Sequence, residues 1–172
     1  MRIRPAQSDD QGAIRTVLEA AFGGPVEADL VDKLRADTDI VAELVADEYG
    51  QIVAHILIYE LEMTSNDRQT HIRAAALAPV AVAPTHHHLG IGSELVRQGL
   101  EKCEENLIEA VIAFNDAPFL KKFNFRTEYA KNIKNPFPGE NMTIKPVKYG
   151  IFDEFFGFII LPDAFEKTNT RD

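Results

Sequence analysis

Apolar positions recur along the chain with two periods. Ile14, Val17, Leu18, Ala21 and Phe22 fall three and four apart, the spacing of one helix face. Residues 8–11 read Ser-Asp-Asp-Gln, a capping box in which the Ser8 hydroxyl accepts from the Gln11 amide while the Gln11 side chain reaches back. Gly23-Gly24-Pro25 ends this helix. Leu30, Val31 and Leu34 line a second helix, which stops near Asp37-Thr38-Asp39. Residues 3–5 form a short first strand. Residues 40–46 and 51 to about 63 are two strands of a long hairpin, turning at Asp47-Glu48-Tyr49-Gly50. After a polar loop, residues 71–82 run mostly apolar, as in a strand covered on both faces.

The helical period returns from residue 90 to about 106. Leu95, Val96, Leu100, Cys103 and Leu107 make its buried stripe, and Glu94, Arg97, Gln98, Glu101 and Lys102 face out. Residues 107–114 read as a buried strand, 118–123 as a short helix and 125–129 as a strand. Residues 135–139 are a Pro-rich loop, and 142–147 and 158–161 are late strands. Phe152, Phe155, Phe156 and Phe158 make the tail aromatic, so it packs on the core or on a second subunit. Helices and strands mingle around one central strand-helix-strand unit. The expected class is therefore α/β, or α+β with a mixed sheet, with helices flanking it.

At 172 residues the chain fits one domain, 1–172, with a core over about 1–130 and C-terminal strands and aromatic tail over about 131–172. No run approaches a membrane span, and no apolar segment comes after the basic start, so neither a membrane nor a secretory signal is expected. A net charge of -9 argues against a nucleic-acid partner, which needs a basic face. Cys103 is the one cysteine, so a reducing cytoplasm is the expected location.

The chemistry concentrates in PVAVAPTHHHLGIGSELV, residues 79–96. An apolar strand, a short loop, Gly-x-Gly and a helix start make an anion site. The glycines allow a tight turn and close backbone approach, and the helix N-terminus offers unpaired amides. No Gly-Lys-Ser/Thr is present there, so this is not a P-loop, and Leu95 stands where a dinucleotide fingerprint needs its third glycine. His86, His87 and His88 are adjacent and have no partner ligand at metal spacing, so no metal is expected.

LAPVAVAPTHHHLGIGSELVRQGLE resembles the acetyl-CoA-binding motif of the GNAT acetyltransferase superfamily: an apolar strand, Pro, then Gln/Arg-x-x-Gly-x-Gly/Ala opening a helix. VIAFNDAPFLKKFNF resembles the next strand and the short helix that ends in a Phe-Gly-Phe-like turn, and the tail is similar to that of one bacterial subgroup of N-acetyltransferases. The resemblance implies a GNAT-like fold and acetyl-CoA as acyl donor. Cofactor contacts are implied at Val80, Ala81 and Val82, at His87, His88, Leu89, Gly90, Ile91, Gly92 and Ser93, and at Asn115 and Phe119. Val80 and Val82 would pair with the pantetheine arm, and a Val82 amide would stabilise charge on the thioester oxygen. The acceptor would be an amine of a small molecule or peptide, and a homodimer is an expectation from the same resemblance and the aromatic tail.

Two departures stand out. His87 and His88 replace the usual Gln/Arg and Gly, and Leu120 occupies the position at which the family often carries a proton-donating tyrosine. Asn124 replaces the glycine of the Phe-Gly-Phe turn. For a general base, Glu60 and Glu62 share one face of the hairpin strand and His55 lies on the other. The competing readings are a non-catalytic acyl-CoA-binding or regulatory module and a scaffold that has lost the cofactor. Cys103, on an apolar stripe, is a core residue rather than a nucleophile.

Overall fold

The structure is a computed structural model that describes residues 1–115 and 117–168; Asp116 and the last four residues of the tail lie outside the described residues. Strand β1 (Arg2–Pro5) leads to helices α1 (Gln11–Phe22) and α2 (Val26–Asp37). Then come β2 (Ile40–Glu48), β3 (Gln51–Ser65), β4 (His71–Val82), α3 (Ile91–Glu105) and β5 (Ala110–Ala113). The short strands β6 (Ile133–Lys134), β7 (Thr143–Pro146) and β8 (Gly157–Ile160) complete the set. The sheet order is β1-β2-β3-β4-β5-β7, with β6 and β8 joined at the far end of β3. The β4–β5 pair is parallel and the other pairs on that path are antiparallel, so the sheet is mixed.

Two cores sandwich this sheet. Leu57, Tyr59, Leu61 and Met63 of β3 pack beneath Ile14, Val17, Leu18, Val31 and Leu34 of α1 and α2. The alternate residues Ala54, Ile56 and Ile58 meet Leu95, Val96, Leu100 and Cys103 of α3. Burial on both faces explains why β3 and β4 read as continuous apolar runs. A Cβ on Gly99 would lie 2.7 Å from Ile58 Cδ1, so glycine there lets α3 settle close to β3.

Three local readings are corrected. The N-terminal box lies one residue earlier than Ser8–Gln11: the Asp10 carboxylate accepts from the Gln7 amide at 2.8 Å, because a 3-10 turn precedes α1. Leu107 leaves the stripe: the chain takes a positive φ there to end α3, and the side chain is 77% exposed. Residues 125–129 are not a strand; Arg126 makes a single bridge to Ile144, and Glu128–Ala130 is a 3-10 turn. In the tail, Phe155 is buried against the α1–α2 core while Phe156 is exposed.

Candidate active site at the β4–β5 fork

A one-residue bulge in β4 builds the site. Ile56 pairs with Val80 and Ile58 with Leu77, so β4 spends one residue more than β3 around Ala78 and Pro79. Such a bulge reverses the facing of the residues beyond it. Val80 and Val82 now point toward α3, where a Cβ on Gly92 would meet Val82 Cγ2 at 3.5 Å and Val80 Cγ1 at 3.8 Å. Ala81 points to the opposite core.

The same stretch parts from β5. The parallel ladder has rungs at Ala74–Ala110, Ala75–Val111 and Ala76–Ile112 and stops there, while β4 runs on to Val82. The Ala83 amide donates to the Val53 carbonyl at 2.8 Å. By strand alternation, Ala81 and Ala83 turn their peptide groups toward β3, and Val80 and Val82 turn theirs into the open fork.

The N-terminus of α3 closes the fork's mouth. Gly90 is its N-cap at φ 77°, and its carbonyl accepts from the Glu94 amide at 3.1 Å. The first-turn amides of Ile91, Gly92 and Ser93 point out of the helix at its positive end. Lys122 donates to the Ser93 hydroxyl and adds a cation beside them. Asn124 takes the left-handed conformation at φ 66°, so the turn after the short helix survives without glycine.

A groove of about 500 Å³ runs over these groups. Its walls are Val80, Val82, His86, His87, His88, Gly90, Ile91, Gly92, Ser93 and Phe119, with Ala21 and Phe22 from the end of α1. The imidazoles do not converge. His86 holds Glu48 at 3.1 Å and the Thr85 hydroxyl at 2.8 Å, and His87 Nε2 lies 2.9 Å from the Val82 carbonyl oxygen. His88 sits at a positive φ of 63°.

Thus the structure brings together Val80, Val82, His87, His88, Gly90, Ile91, Gly92, Ser93 and Phe119. Ala81 is buried on the other face, and Leu89 is 67% exposed outside the groove wall. Asn115 is also outside it; its side-chain oxygen accepts from the Ala117 amide at 3.2 Å, capping the turn after β5. Leu120 is buried in the α3-side core, and the side chain facing the groove from this short helix is its neighbour Phe119.

The three candidate bases stand elsewhere. Glu60 and Glu62 pair across from Ala75 and Arg73, four and six residues along β3 from Ile56, the partner of Val80, or roughly 13 and 20 Å at about 3.3 Å per residue. They line a separate cleft of about 460 Å³ with Asp37, Asp39 and Glu109. Glu60 is held by Arg73 at 2.6 Å and Glu62 by Thr64 at 2.7 Å and His71 at 2.5 Å. Hydrogen bonds from Arg73 and from Thr64 keep these carboxyls below the ordinary range, which makes them poor bases. His55 is fully buried beneath α2, with Nε2 2.8 Å from Glu43 Oε1, and Glu43 is clamped by Arg35 at 2.6 Å.

The sequence reading missed Phe22 at the groove. Phe22 continues the apolar stripe of α1 and so reads as core, yet it is 44% exposed beside the cradle. Lys122 lies within the aromatic short helix, and only folding carries it 29 residues back to Ser93.

A mixed sheet forked beside the bare amides of a helix N-terminus defines the acyl-CoA N-acyltransferase fold. The sequence profile of the acetyltransferase (GNAT) domain matches residues 2–127, and the chain belongs to that family. It is 28% identical over 140 residues to the uncharacterized N-acetyltransferase YhbS of Escherichia coli strain K12, covering 81% of each chain. It is 34% identical over 122 residues to YjhQ of the same strain, covering 67% of this chain and 64% of that one. The crystal structure of Escherichia coli YhbS in complex with CoA superposes with a TM-score of 0.85 at 22% identity, over 96% of this chain and 91% of that one. A GNAT acetyltransferase from Brucella melitensis in complex with acetyl-CoA gives 0.74 at 26% identity, over 95% and 97%.

Proposed function

We propose that the protein is an acetyl-CoA-dependent N-acetyltransferase acting on the amine of a small molecule or peptide by direct attack. The fork carries this reading: β4 leaves β5 after Ala76, turns the peptide groups of Val80 and the amide of Val82 into the opening while His87 holds the Val82 carbonyl, and ends at the α3 cradle. These residues fit the donor's parts. The amides at Gly90 to Ser93 and the Lys122 ammonium suit a pyrophosphate. The free β4 edge suits the amides of a pantetheine arm, in the manner of an added strand. Phe22 and Phe119 give the groove apolar walls. Acetyl-CoA would supply an activated thioester; the chain's part is to hold it and to aim a β4 amide at the carbonyl oxygen, where charge develops.

Among the described residues, no carboxylate lines this groove, and none of its side chains except Ser93 carries a hydroxyl. With no carboxylate in the groove and Leu120 at the tyrosine position, water or one of the groove's imidazoles removes the acceptor's proton and returns one to the departing thiolate. Acid catalysis supplies about 10²–10⁴-fold where present, so Leu120 implies a slow transferase. That same residue motivates the second reading, a module that binds acyl-CoA without transferring. Phe156, just before β8, and Ile160, at its end, stand exposed, and here we place a homodimer contact. The single buried cysteine suits the cytoplasm.

Calorimetric titration with CoA and acetyl-CoA, then thiol release across a panel of amines, tests the reading. Binding with amine-dependent release is expected. Tight binding with no turnover on any amine establishes the module, and no binding at millimolar cofactor defeats both.

A further inference from the structure

His88 lines the groove in a backbone conformation that side chains rarely adopt. Its φ is 63°, in the left-handed region, two residues before Gly90 at 77°. The neighbouring imidazoles are occupied, His86 by Glu48 and Thr85 and His87 by the Val82 carbonyl. The His88 ring stands in the groove wall and makes no hydrogen bond among the described residues. It meets the His87 ring edge-on, with centroids 6.2 Å apart. Backbone strain kept at an unengaged, groove-lining side chain points to a task for that side chain.

The charges around the ring say what that task is. The first-turn amides of Ile91, Gly92 and Ser93 open onto the same groove at the positive end of α3. Lys122 comes from the short helix and sits on the Ser93 hydroxyl. The acid of that first turn, Glu94, is held by Arg97 and Gln98, and Glu48 of β2 is held by His86. From α1 come Ala21 and Phe22, which carry no charge. The surroundings therefore favour an anion. An imidazole is neutral or cationic near neutral pH, and a phosphate beside it favours the cation.

We propose that His88 binds the donor's pyrophosphate as an imidazolium that forms when the phosphate arrives, so that cofactor binding takes up a proton and tightens as pH falls. The inference rests on the donor-site reading above. The proton comes from solvent to the free ring nitrogen, and a ring N–H then donates to a phosphate oxygen; no covalent bond of the cofactor changes. A neutral ring offers one N–H, whereas the imidazolium offers two and adds a charge. By linkage, a phosphate that draws a proton onto the ring is itself held more tightly where the proton is plentiful. Free CoA carries the same pyrophosphate as acetyl-CoA, so rising pH loosens product and donor alike.

The test is calorimetric titration with CoA and with dephospho-CoA, near pH 7 in two buffers of different ionisation enthalpy and again at about pH 6 and about pH 8. Dephospho-CoA keeps the pyrophosphate and lacks the 3′-phosphate, a monoester that itself titrates near about pH 6. With dephospho-CoA we expect uptake of about half a proton near pH 7, and affinity about fivefold tighter at pH 6 than at pH 8. Asparagine tolerates the left-handed turn, so His88→Asn should bind without uptake and with a flat pH response. His88→Gly should do the same, and His87→Ala, at its weaker affinity, should keep the uptake. Binding or uptake with intact CoA alone overturns the proposal. So does uptake that is absent in the wild type, that persists in both His88 variants, or that vanishes in His87→Ala. Loss of binding by both His88 variants at pH 8 overturns it too, since the ring would then be holding the loop. Failure of the wild type to bind CoA at any of these pH values removes the donor-site reading and this inference together, whereas the other outcomes remove the inference alone.

Discussion

His87 turns its Nε2 back onto the carbonyl oxygen of Val82, 2.9 Å away, and ties the loop before the cradle to the last residue of β4. A carbonyl only accepts, so Nε2 carries the proton in this pair. The bond fixes the path of the loop that presents Gly90, while the cradle itself is made of backbone. His87→Ala therefore removes a tether and leaves the phosphate donors. One such hydrogen bond is worth about 0.5–1.5 kcal/mol, and CoA affinity should fall roughly 3–10-fold by calorimetry. A loss beyond about a hundredfold, well above the worth of one such bond, would mean that the imidazole itself grips the phosphate.

Gly90 combines a left-handed φ of 77° with open space, since no atom lies within 4 Å of a Cβ built there. Gly90→Ala and Gly90→Glu thus share the same backbone penalty, about 1–2 kcal/mol, and should lower the melting temperature alike. Only the glutamate sets a negative charge against the anion. At about 6 Å and an effective dielectric of about 20 that repulsion is about 3 kcal/mol, so CoA should bind Gly90→Glu at least about tenfold more weakly than Gly90→Ala. Equal affinities for the two variants would place the phosphates elsewhere.

The elements near the fork were legible in the sequence because their signals are local. The apolar run of residues 71–82 gave β4 with its observed bounds, and Gly90 marked the start of α3 to within one residue. The glycine turn and helix start of the proposed cradle were legible too, since they need only glycine and a helical pattern. Groups fixed by distant partners were not legible. Alternation separated Glu60 and Glu62 from His55, but Arg73 and His71, which hold those glutamates, come from the next strand. Asn115 has the position of a cofactor contact along the chain, yet its side chain caps the next turn. Pairing across strands and turns, which spacing along one strand does not encode, decided each of these cases.

Cys103 lies fully buried on the β-facing stripe of α3, and burial pushes its thiol up to about 12. The thiolate is the reactive form, so this cysteine should be inert in the folded protein. Iodoacetamide at mildly alkaline pH should leave the native chain unlabelled over hours and modify it fully in denaturant, as read by mass spectrometry. Rapid native labelling would show that α3 opens from the sheet.

His55 makes stability depend on pH in a direction that can be worked out. Burial pulls its pKa down, and the hydrogen bond with Glu43 only partly opposes this, so the folded protein keeps the ring neutral with Nε2–H donating to Glu43. Burial pushes the Glu43 carboxyl up, but its hydrogen bonds with His55 and Arg35 outweigh that and leave it lowered. The unfolded chain takes up a proton at His55 near about pH 6.5, and the folded chain resists until lower pH. Below about 6.5 the unfolded state binds more protons, so stability falls with pH, by at most about 1.4 kcal/mol per pH unit for this one proton. Glu43 adds a second loss in the same direction, beginning nearer its ordinary carboxyl range. The melting temperature should therefore be highest above about pH 7 and decline between about pH 6.5 and 5. His55→Gln should flatten that interval while keeping the more acidic loss. A variant that retains the full slope across that interval would assign the proton to another histidine.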